Sequence, residues 1–404
     1  MNKGTYFTGQ PIFNQVLEYI PRGVVESMAS QLNADRYYKH FKTYEHLVTM
    51  LYSIFNHCGS LREVTTGLLA WDQRIIHLGI QSHPRRSTLA DANQRRTPEV
   101  FEQIYFKLLQ RYAHYLPDSR KGSRKNNLYI FDSTTISLFQ EILKGAGRTP
   151  ADGRRKGGIK VHTLLQANTD QPTMIRYSAA AASDTKFLKD IRLPAGSVIV
   201  FDKGYRDYKT YNRFTKDKIT WVTRHRDSSV YKVVKKNKLT DYHKAQGVFK
   251  DQLIVLGHHG KQATNVVARM VTYKDPVSKK QFQFISNNKQ LSPLTIAQYY
   301  RQRWQIETFF KRIKQNYPLQ YFLGDSENAI TIQIWCVLIA DLILKVVKKG
   351  TKTKMAFSNL GGLIRLHLMT YMDLKSFLQS PEKSLLKKVK TKRKKQKLPS
   401  LFPT

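Results

Sequence analysis

From the N-terminus to about residue 120, apolar residues recur three and four positions apart, as in FNQVLEYI, EHLVTMLYSIF and PEVFEQIYFKLLQRYAHYL. That period puts them on one face of a helix, so this region is predicted to be helical. A polar, basic stretch from Asp118 to Asn127 reads as a linker, and after it the period shortens. LYIFDSTTISLF (128–139) reads as a strand ending at Asp132 or just beyond. A second strand follows over 159–165, and TMIRYSAAA reads as a third. SDTKFLKDI then reads as a capped helix, and SVIVFDKGY (197–205) as a buried strand stopping at Asp202. DYKTYNRFTKD is helical and KITWVTRH another strand, which makes an alternating α/β pattern with three strands first.

Between about Asp227 and Asn288 the pattern becomes β-rich, with QLIVLG, NVVARMVTY and QFQFIS alternating around turns. Ser292 followed by Pro293 reads as a helix start, and no glycine or proline interrupts the chain until Pro318, so one helix is expected there. Ala329 to Val347 is nearly continuous apolar sequence but holds Gln333 and Asp341, which favours a buried helix over a membrane span. A helical stretch follows around 355–379. In the tail, nine of the fifteen positions from Lys383 to Lys397 are Lys or Arg; such a run suits disorder and a non-specific grip on DNA. The expected domains are a helical N-terminal DNA-binding domain (1–122), an α/β domain (123–325, with the β-rich insertion at about 227–288), a helical C-terminal region (326–380) and the basic tail (381–404).

Charge narrows the function. The 404 residues hold 68 Lys plus Arg against 29 Asp plus Glu, a formal charge of +39. Such an excess repels itself in a compact state unless a polyanion neutralises it, so nucleic acid is the expected partner, with a membrane surface the weaker alternative. Cys58 and Cys336 lie far apart, which argues against a disulfide framework or a cysteine zinc site and suits a reducing cytoplasm.

The predicted helix after Ser292 carries the chemistry. With Tyr300 at 0°, Arg303 falls near ~300°, Glu307 near ~340° and Lys314 near ~320° at about 100° per residue. One carboxylate is thereby placed among two cations and a phenol, beside an inward stripe of Ile306, Phe310, Ile313 and Tyr317. Carboxylates ligate Mg²⁺, and Arg and Lys clamp phosphate. Taken alone, the same pattern also describes an ordinary amphipathic helix with ion pairs four residues apart. Asp132 and Asp202 end two predicted strands, in IFDST and VFDKG, where neighbouring carboxylates can bridge two metal ions. Upstream, HPRRSTLADANQRR (83–96) reads as a short helix capped by Ser87, displaying Arg95 and Arg96 with Arg85 and Arg86 just before it. It is a candidate helix-turn-helix element whose arginines reach DNA. Arg154, Arg155 and Lys156 form a basic loop that is a candidate DNA-backbone contact. His162 is weighed against a core role, and Asp152, Asp184 and Asp207 are competing carboxylates, the last two explained as helix caps.

These motifs resemble the DDE transposases of the IS-four family of bacterial insertion sequences. Tyr300, two residues, Arg303, three residues, Glu307, six residues and Lys314 match that family's YREK signature, and FDST at Asp132 and DKGY at Asp202 resemble its aspartate motifs. The resemblance covers roughly 125–325. It implies an α/β, RNase H-like mixed sheet with flanking helices and a β-rich insertion. It also implies Asp132, Asp202 and Glu307 as ligands of two Mg²⁺ ions, for which Mn²⁺ can substitute, and Tyr300, Arg303 and Lys314 as phosphate contacts. The implied activity is cut-and-paste DNA transposition by a homodimer in a synaptic complex. That complex pairs terminal inverted repeats in the bacterial cytoplasm, at the nucleoid, and joins them to target DNA. A nuclease that cuts without joining and a non-catalytic DNA-binding derivative are the alternatives. Hairpin-forming relatives hold a flipped base on an aromatic residue of the insertion. No tryptophan lies between Trp221 and Trp304, and Tyr231, Tyr242, Phe249 and Tyr273 are the aromatics available.

Overall fold

The computed structural model describes residues 9–81, 83–116, 127–137, 147–148, 156–179, 185–257 and 265–384. The chain forms two compact units. One comprises residues 1–116 and 315–404, the other residues 117–314.

The second unit is built on one mixed sheet. Its strands are β1 (Leu128–Ser137), β2 (Gly147–Arg148), β3 (Lys156–Gln166), β4 (Gln171–Ala179), β5 (Val198–Phe201), β6 (Thr220–Arg224), β7 (Tyr231–Lys236), β8 (Val248–Leu256), β9 (Val266–Lys274) and β10 (Gln281–Ser286). Their order is β2-β3-β1-β5-β6-β10-β9-β8-β7, with β4 also paired to β3. β1, β5 and β6 are parallel neighbours, and every other pairing is antiparallel. β5 is apolar and buried at all four positions, as a strand covered on both faces must be. Phe131, Phe201, Tyr211, Phe214 and Trp221 fill the core cluster on this sheet.

β10 pairs with β6, so the strands of the β-rich insertion, β7 to β10, extend the same sheet. Two differences from the sequence reading concern this unit. β7 escaped detection because YKVVKK, with five of six residues exposed, has no alternation to find. β1 runs five residues beyond Asp132, because β3 stays in register with it as far as Ser137 opposite Gly158.

The other unit is helical. The expected separation of N- and C-terminal helices does not hold, because buried polar contacts join them. Gln15 donates to the Met372 carbonyl at 2.7 Å and accepts from the Leu374 amide at 2.8 Å. At the centre lies the helix Glu327–Thr351, the one described helix long and apolar enough to cross a membrane, buried along nearly all of its apolar length. Gln333 and Asp341, buried in its apolar stretch, have partners inside the unit. Gln333 accepts from the Leu323 amide and donates to the Tyr321 carbonyl, while Asp341 accepts from Tyr317 Oη and pairs with Lys345. These contacts fasten the segment 317–323 to the long helix, which is why the boundary falls near 314 rather than 325. Cys58 and Cys336 are both free and buried.

Candidate active site

The register of the parallel strands positions the two aspartates. Phe131 of β1 lies opposite Phe201, the last residue of β5; Asp132 is the next residue of β1, and Asp202 follows directly on the end of β5. Beyond this level β5 ends while β1 continues, so the two carboxylates sit where the parallel pair opens. Asp132 Oδ1 accepts from the Ser133 amide at 2.8 Å, and Asp202 Oδ2 from the Gly204 amide at 3.3 Å.

The expected single helix is two. Ser292 caps the first, Pro293–Arg301, accepting from the Thr295 amide at 3.1 Å as anticipated. The second is Trp304–Asn316. At the junction the amides of Gln302 and Arg303 bond to the carbonyls of Tyr299 and Tyr300, three residues back, so the chain tightens by a short 3₁₀ turn. No proline or glycine marks this break, and periodicity is blind to it. The inward stripe of the second helix is also adjusted, with Ile306, Phe309 and Ile313 buried and Phe310 only partly so.

Around that turn three signature residues meet the aspartates. Tyr300 Oη donates to Asp202 Oδ1 at 3.2 Å. Arg303 Nη1 donates to Asp132 Oδ2 at 2.9 Å, and Nη2 to Glu307 Oε1 at 2.5 Å. Lys314 lies elsewhere on the second helix, its Nζ donating to the Thr135 carbonyl of β1 at 2.9 Å. That helix is also fastened by Arg312, which pairs at 2.7 Å with Asp170 in the β3–β4 turn.

The electrostatics follow from burial and crowding. Burial pushes the Asp132 carboxyl up to about 6; the Ser133 amide and Arg303 oppose the rise, and Asp202 and Glu307 add to it. The Tyr300 phenol is raised to about 12, first by burial and then by the Asp202 charge, so it stays a neutral donor. Burial works against the Arg303 charge, but Tyr300, Asp132 and Glu307 outweigh it and raise its pKa. Lys314 is lowered by burial.

Among the described residues no three His, Cys, Asp or Glu side chains converge closely enough to hold a metal ion. Asp132 and Glu307 instead share the Arg303 guanidinium. The donor set nevertheless suits a hard divalent cation, being carboxylate oxygen only. Asp202 and Glu307 both act on the Asp132 carboxyl, so the three carboxylates stand in one neighbourhood.

Other sequence candidates fall differently. Arg96 is a correction: its side chain is fully buried, it lies 3.4 Å from Asp35, donates to the Phe41 carbonyl at 2.8 Å and packs over the Tyr38 ring. It is a core arginine and unable to reach DNA. Arg95 is exposed and paired with Asp91. Arg85 and Arg86 are exposed, but the helix is Arg86–Arg95, so Ser87 lies inside it and does not cap it. His162 is buried, its Nε2 2.9 Å from Ser178 Oγ and its ring stacked on Phe187. Asp207 caps the helix Tyr208–Lys216. Tyr242 and Phe249 are exposed, while Tyr231 and Tyr273 are half-buried. Arg154, Arg155, Asp152 and Asp184 lie outside the described residues, as do the Lys156 side chain and the tail from 385.

Two interactions had no signal in the sequence. One is the Asp170–Arg312 pair. The other is the Asp251–Arg269 pair on β8 and β9, at 2.6 Å, whose guanidinium also donates to the carbonyls of Lys289 and Leu291 just before the Ser292 cap.

A family model described as the transposase DDE domain matches residues 123–342, more than half of the chain. The chain belongs to the DDE transposases. Residues 8–81 match a second family model, a domain of unknown function (DUF4372). A protein of Sinorhizobium fredii named as a transposase (y4zB) is 27% identical over 302 residues, covering 74% of this chain and 81% of that protein. One of Synechocystis, named as a transposase for the insertion sequence element IS4SA, is 27% identical over 279 residues, covering 67% and 74%. A Geobacillus stearothermophilus protein named as a transposase for the element IS5377 is 26% identical over 235 residues, covering 57% and 60%. A solved piggyBac transposase synaptic complex with hairpin DNA aligns with TM-score 0.42 and 12% identity over 98% of this chain and 85% of that one, too slight a likeness to add to the assignment. The transposase is thus an enzyme of DNA transposition in a family that uses divalent metal ions.

Proposed function

We propose that the transposase cuts and joins DNA at the ends of its insertion sequence from the site of Asp132, Asp202 and Glu307, on an RNase H-like sheet. The observation that carries this reading is the convergence at Arg303. One guanidinium spans Asp132 and Glu307, 175 positions apart in the chain, while Tyr300 holds Asp202. Asp132, Asp202 and Glu307 would hold two Mg²⁺ ions, with Mn²⁺ able to substitute. When bound, these supply positive charge at the attacking and leaving oxygens.

The chain's own residues position and neutralise. Phosphoryl transfer asks little covalent chemistry of a protein and much orientation and charge balance. The water oxygen attacks phosphorus, the bond to the 3′ oxygen breaks, and that oxygen leaves as a 3′-OH. The 3′-OH is the nucleophile of the joining step, in which a phosphodiester of the target opens as the new one forms. Arg303, charged at any working pH, sets the spacing of Asp132 and Glu307 and offers its fork to a phosphate. Tyr300, neutral, keeps Asp202 turned into the site. Lys314 brings a second cation, its Nζ on the Thr135 carbonyl of β1, the strand that carries Asp132. The partners are the terminal inverted repeats and target DNA, engaged by a homodimer.

The test is nicking of a labelled duplex carrying the element's own end, with Mg²⁺, by wild type and Glu307→Gln. The expected result is a nick at the element boundary that the variant fails to make while still binding the duplex. Equal nicking by both proteins would remove Glu307 from the site. Binding without cleavage by the wild type, with Mn²⁺ and paired ends also supplied, would leave a DNA-binding protein in place of an enzyme.

A further inference from the structure

Within the helical unit, the starts of the helices Leu61–Leu69 and Arg86–Arg95 line one open groove of about 540 Å³, together with the segment Phe322 to Gly324. Arg62 and Arg86 line it from the two helices, and both are exposed. Among the described residues neither has an acidic partner, whereas Arg95 is taken by Asp91 and Arg96 by the core. The neighbouring carboxylate, Glu63, is turned back on its own helix start. It accepts from the Gly59 amide at 2.5 Å, while its own amide donates to Ser60 Oγ at 3.2 Å. The groove therefore presents two guanidinium groups and the Ser87 hydroxyl, with the Glu63 carboxylate held on the Gly59 amide at its edge and paired with neither arginine.

We propose that this groove takes the sugar-phosphate backbone of duplex DNA, with Arg62 and Arg86 each on a phosphate. The proposal rests on the reading of the chain as a DNA-acting enzyme and adds a contact surface outside its active site. Guanidinium forks match phosphate oxygens two at a time. A second copy of this chain is the poorer occupant, since it brings the same +39 charge to a basic surface. The contact carries no sequence information; it sets register and orientation on the duplex. Of the arginines expected to reach DNA it keeps Arg86, and it adds Arg62 from the helix Leu61–Leu69.

Phenylglyoxal modification of the full-length protein, with and without a short duplex of mixed sequence, tests the groove. Arg62 and Arg86 are expected to be protected severalfold by DNA, and Arg95 to be unaffected. In parallel, the Arg62→Ser/Arg86→Ser variant should bind the same duplex with a salt slope shallower by about 1.8, about 0.9 for each phosphate that is no longer neutralised. Equal modification with and without DNA, or an unchanged slope, overturns the proposal. So does protection that follows protein concentration and not DNA, which would assign the groove to a second copy. End cleavage by wild type with Arg62 and Arg86 unprotected would overturn the groove alone. Protection in a protein that never cleaves would overturn the catalytic reading alone.

Discussion

Arg303 Nη1 donates to Asp132 Oδ2 at 2.9 Å, which ties the junction between the two signature helices to the central strand β1 of the sheet. The same guanidinium reaches Glu307 from its other terminal nitrogen. Only a planar fork spans both carboxylates; an ammonium is a single point charge. Arg303→Lys is therefore not a conservative change. It is expected to lower nicking at saturating DNA by about 10²-fold or more, comparable to removing one preorganised donor from a charged site. Binding of the same duplex should stay within a few-fold. A gel-shift titration beside single-turnover nicking separates the two effects, and a parallel loss of both would reduce Arg303 to a folding role.

Much of this was readable from residue patterns, and the failures share a cause. QFQFIS coincides with β10, and LYIF and VIVF with the parts of β1 and β5 that pair with each other, because a two-residue alternation or a short apolar run is written into local sequence. Tyr300, Arg303 and Glu307 do meet, but across two helices and the turn between them and not on the single helix that their spacing predicted, and Lys314 lies apart from them. The break between Arg301 and Trp304 was not legible, because it is made by two three-residue backbone bonds with no residue type that announces them. Arg96 was misread for a similar reason. Arg95 and Arg96 look alike in sequence, and only the tertiary positions of Asp35, Phe41 and Tyr38 decide which one is buried. Asp170–Arg312 and Asp251–Arg269 are long-range pairs that no local period encodes.

The Asp251–Arg269 pair makes a stability prediction. Both side chains are almost fully buried, at 2% and 8% exposed, and the arginine also holds the turn before Ser292. Asp251→Asn leaves that charge buried with its pairing weakened. It should lower unfolding free energy by about 3–5 kcal/mol, the usual cost of breaking a buried pair from one side. Asp251→Leu with Arg269→Met removes both charges and should recover part of the loss. The recovery stays incomplete because the Lys289 and Leu291 carbonyls lose their donor. Urea unfolding of the two variants and wild type gives the order.

Asp170 anchors Arg312 at 2.7 Å from a backbone of φ +52°, the left-handed region that side chains other than Gly, Asn and Asp resist. Two effects can be separated there. Asp170→Asn keeps the backbone preference and a neutral acceptor, so it should cost less than about 1 kcal/mol. Asp170→Val loses the carboxylate and strains the turn, for a loss of about 1–3 kcal/mol. Asp170→Gly relieves the strain without restoring the pair and should fall between them. A thermal melt series in the order Asn, Gly, Val checks the argument, and equal melting points for Gly and Val would show that the left-handed backbone carries no cost.

His46 gives the stability of the helical unit a pH dependence whose sign is set by one hydrogen bond. Asn93 donates from Nδ2 to the Leu323 carbonyl, which turns its Oδ1 toward His46 Nε2 at 2.7 Å, so Nε2 carries the proton and donates. Nδ1 is buried without a partner, and protonating it would create an N–H with nothing to accept it. Burial, and then the Arg96 charge, hold this imidazole well below its ordinary value of 6.5, against a smaller upward pull from Asn93. The unfolded chain takes up a proton near 6.5 and the folded chain does not. The stabilising contribution is therefore complete above pH 6.5 and is lost as pH falls below it, by about 1.4 kcal/mol per pH unit until the depressed folded value is reached. His46→Gln, which keeps a donor toward Asn93 and has no proton to gain, should remove that part of the slope. Denaturant unfolding of both proteins from pH 8 to pH 5 makes the comparison. The difference in unfolding free energy between them should stay flat above pH 7 and move steadily against the wild type below 6.5. A difference that stays constant down to pH 5 would mean that His46 titrates alike in the folded and unfolded chains.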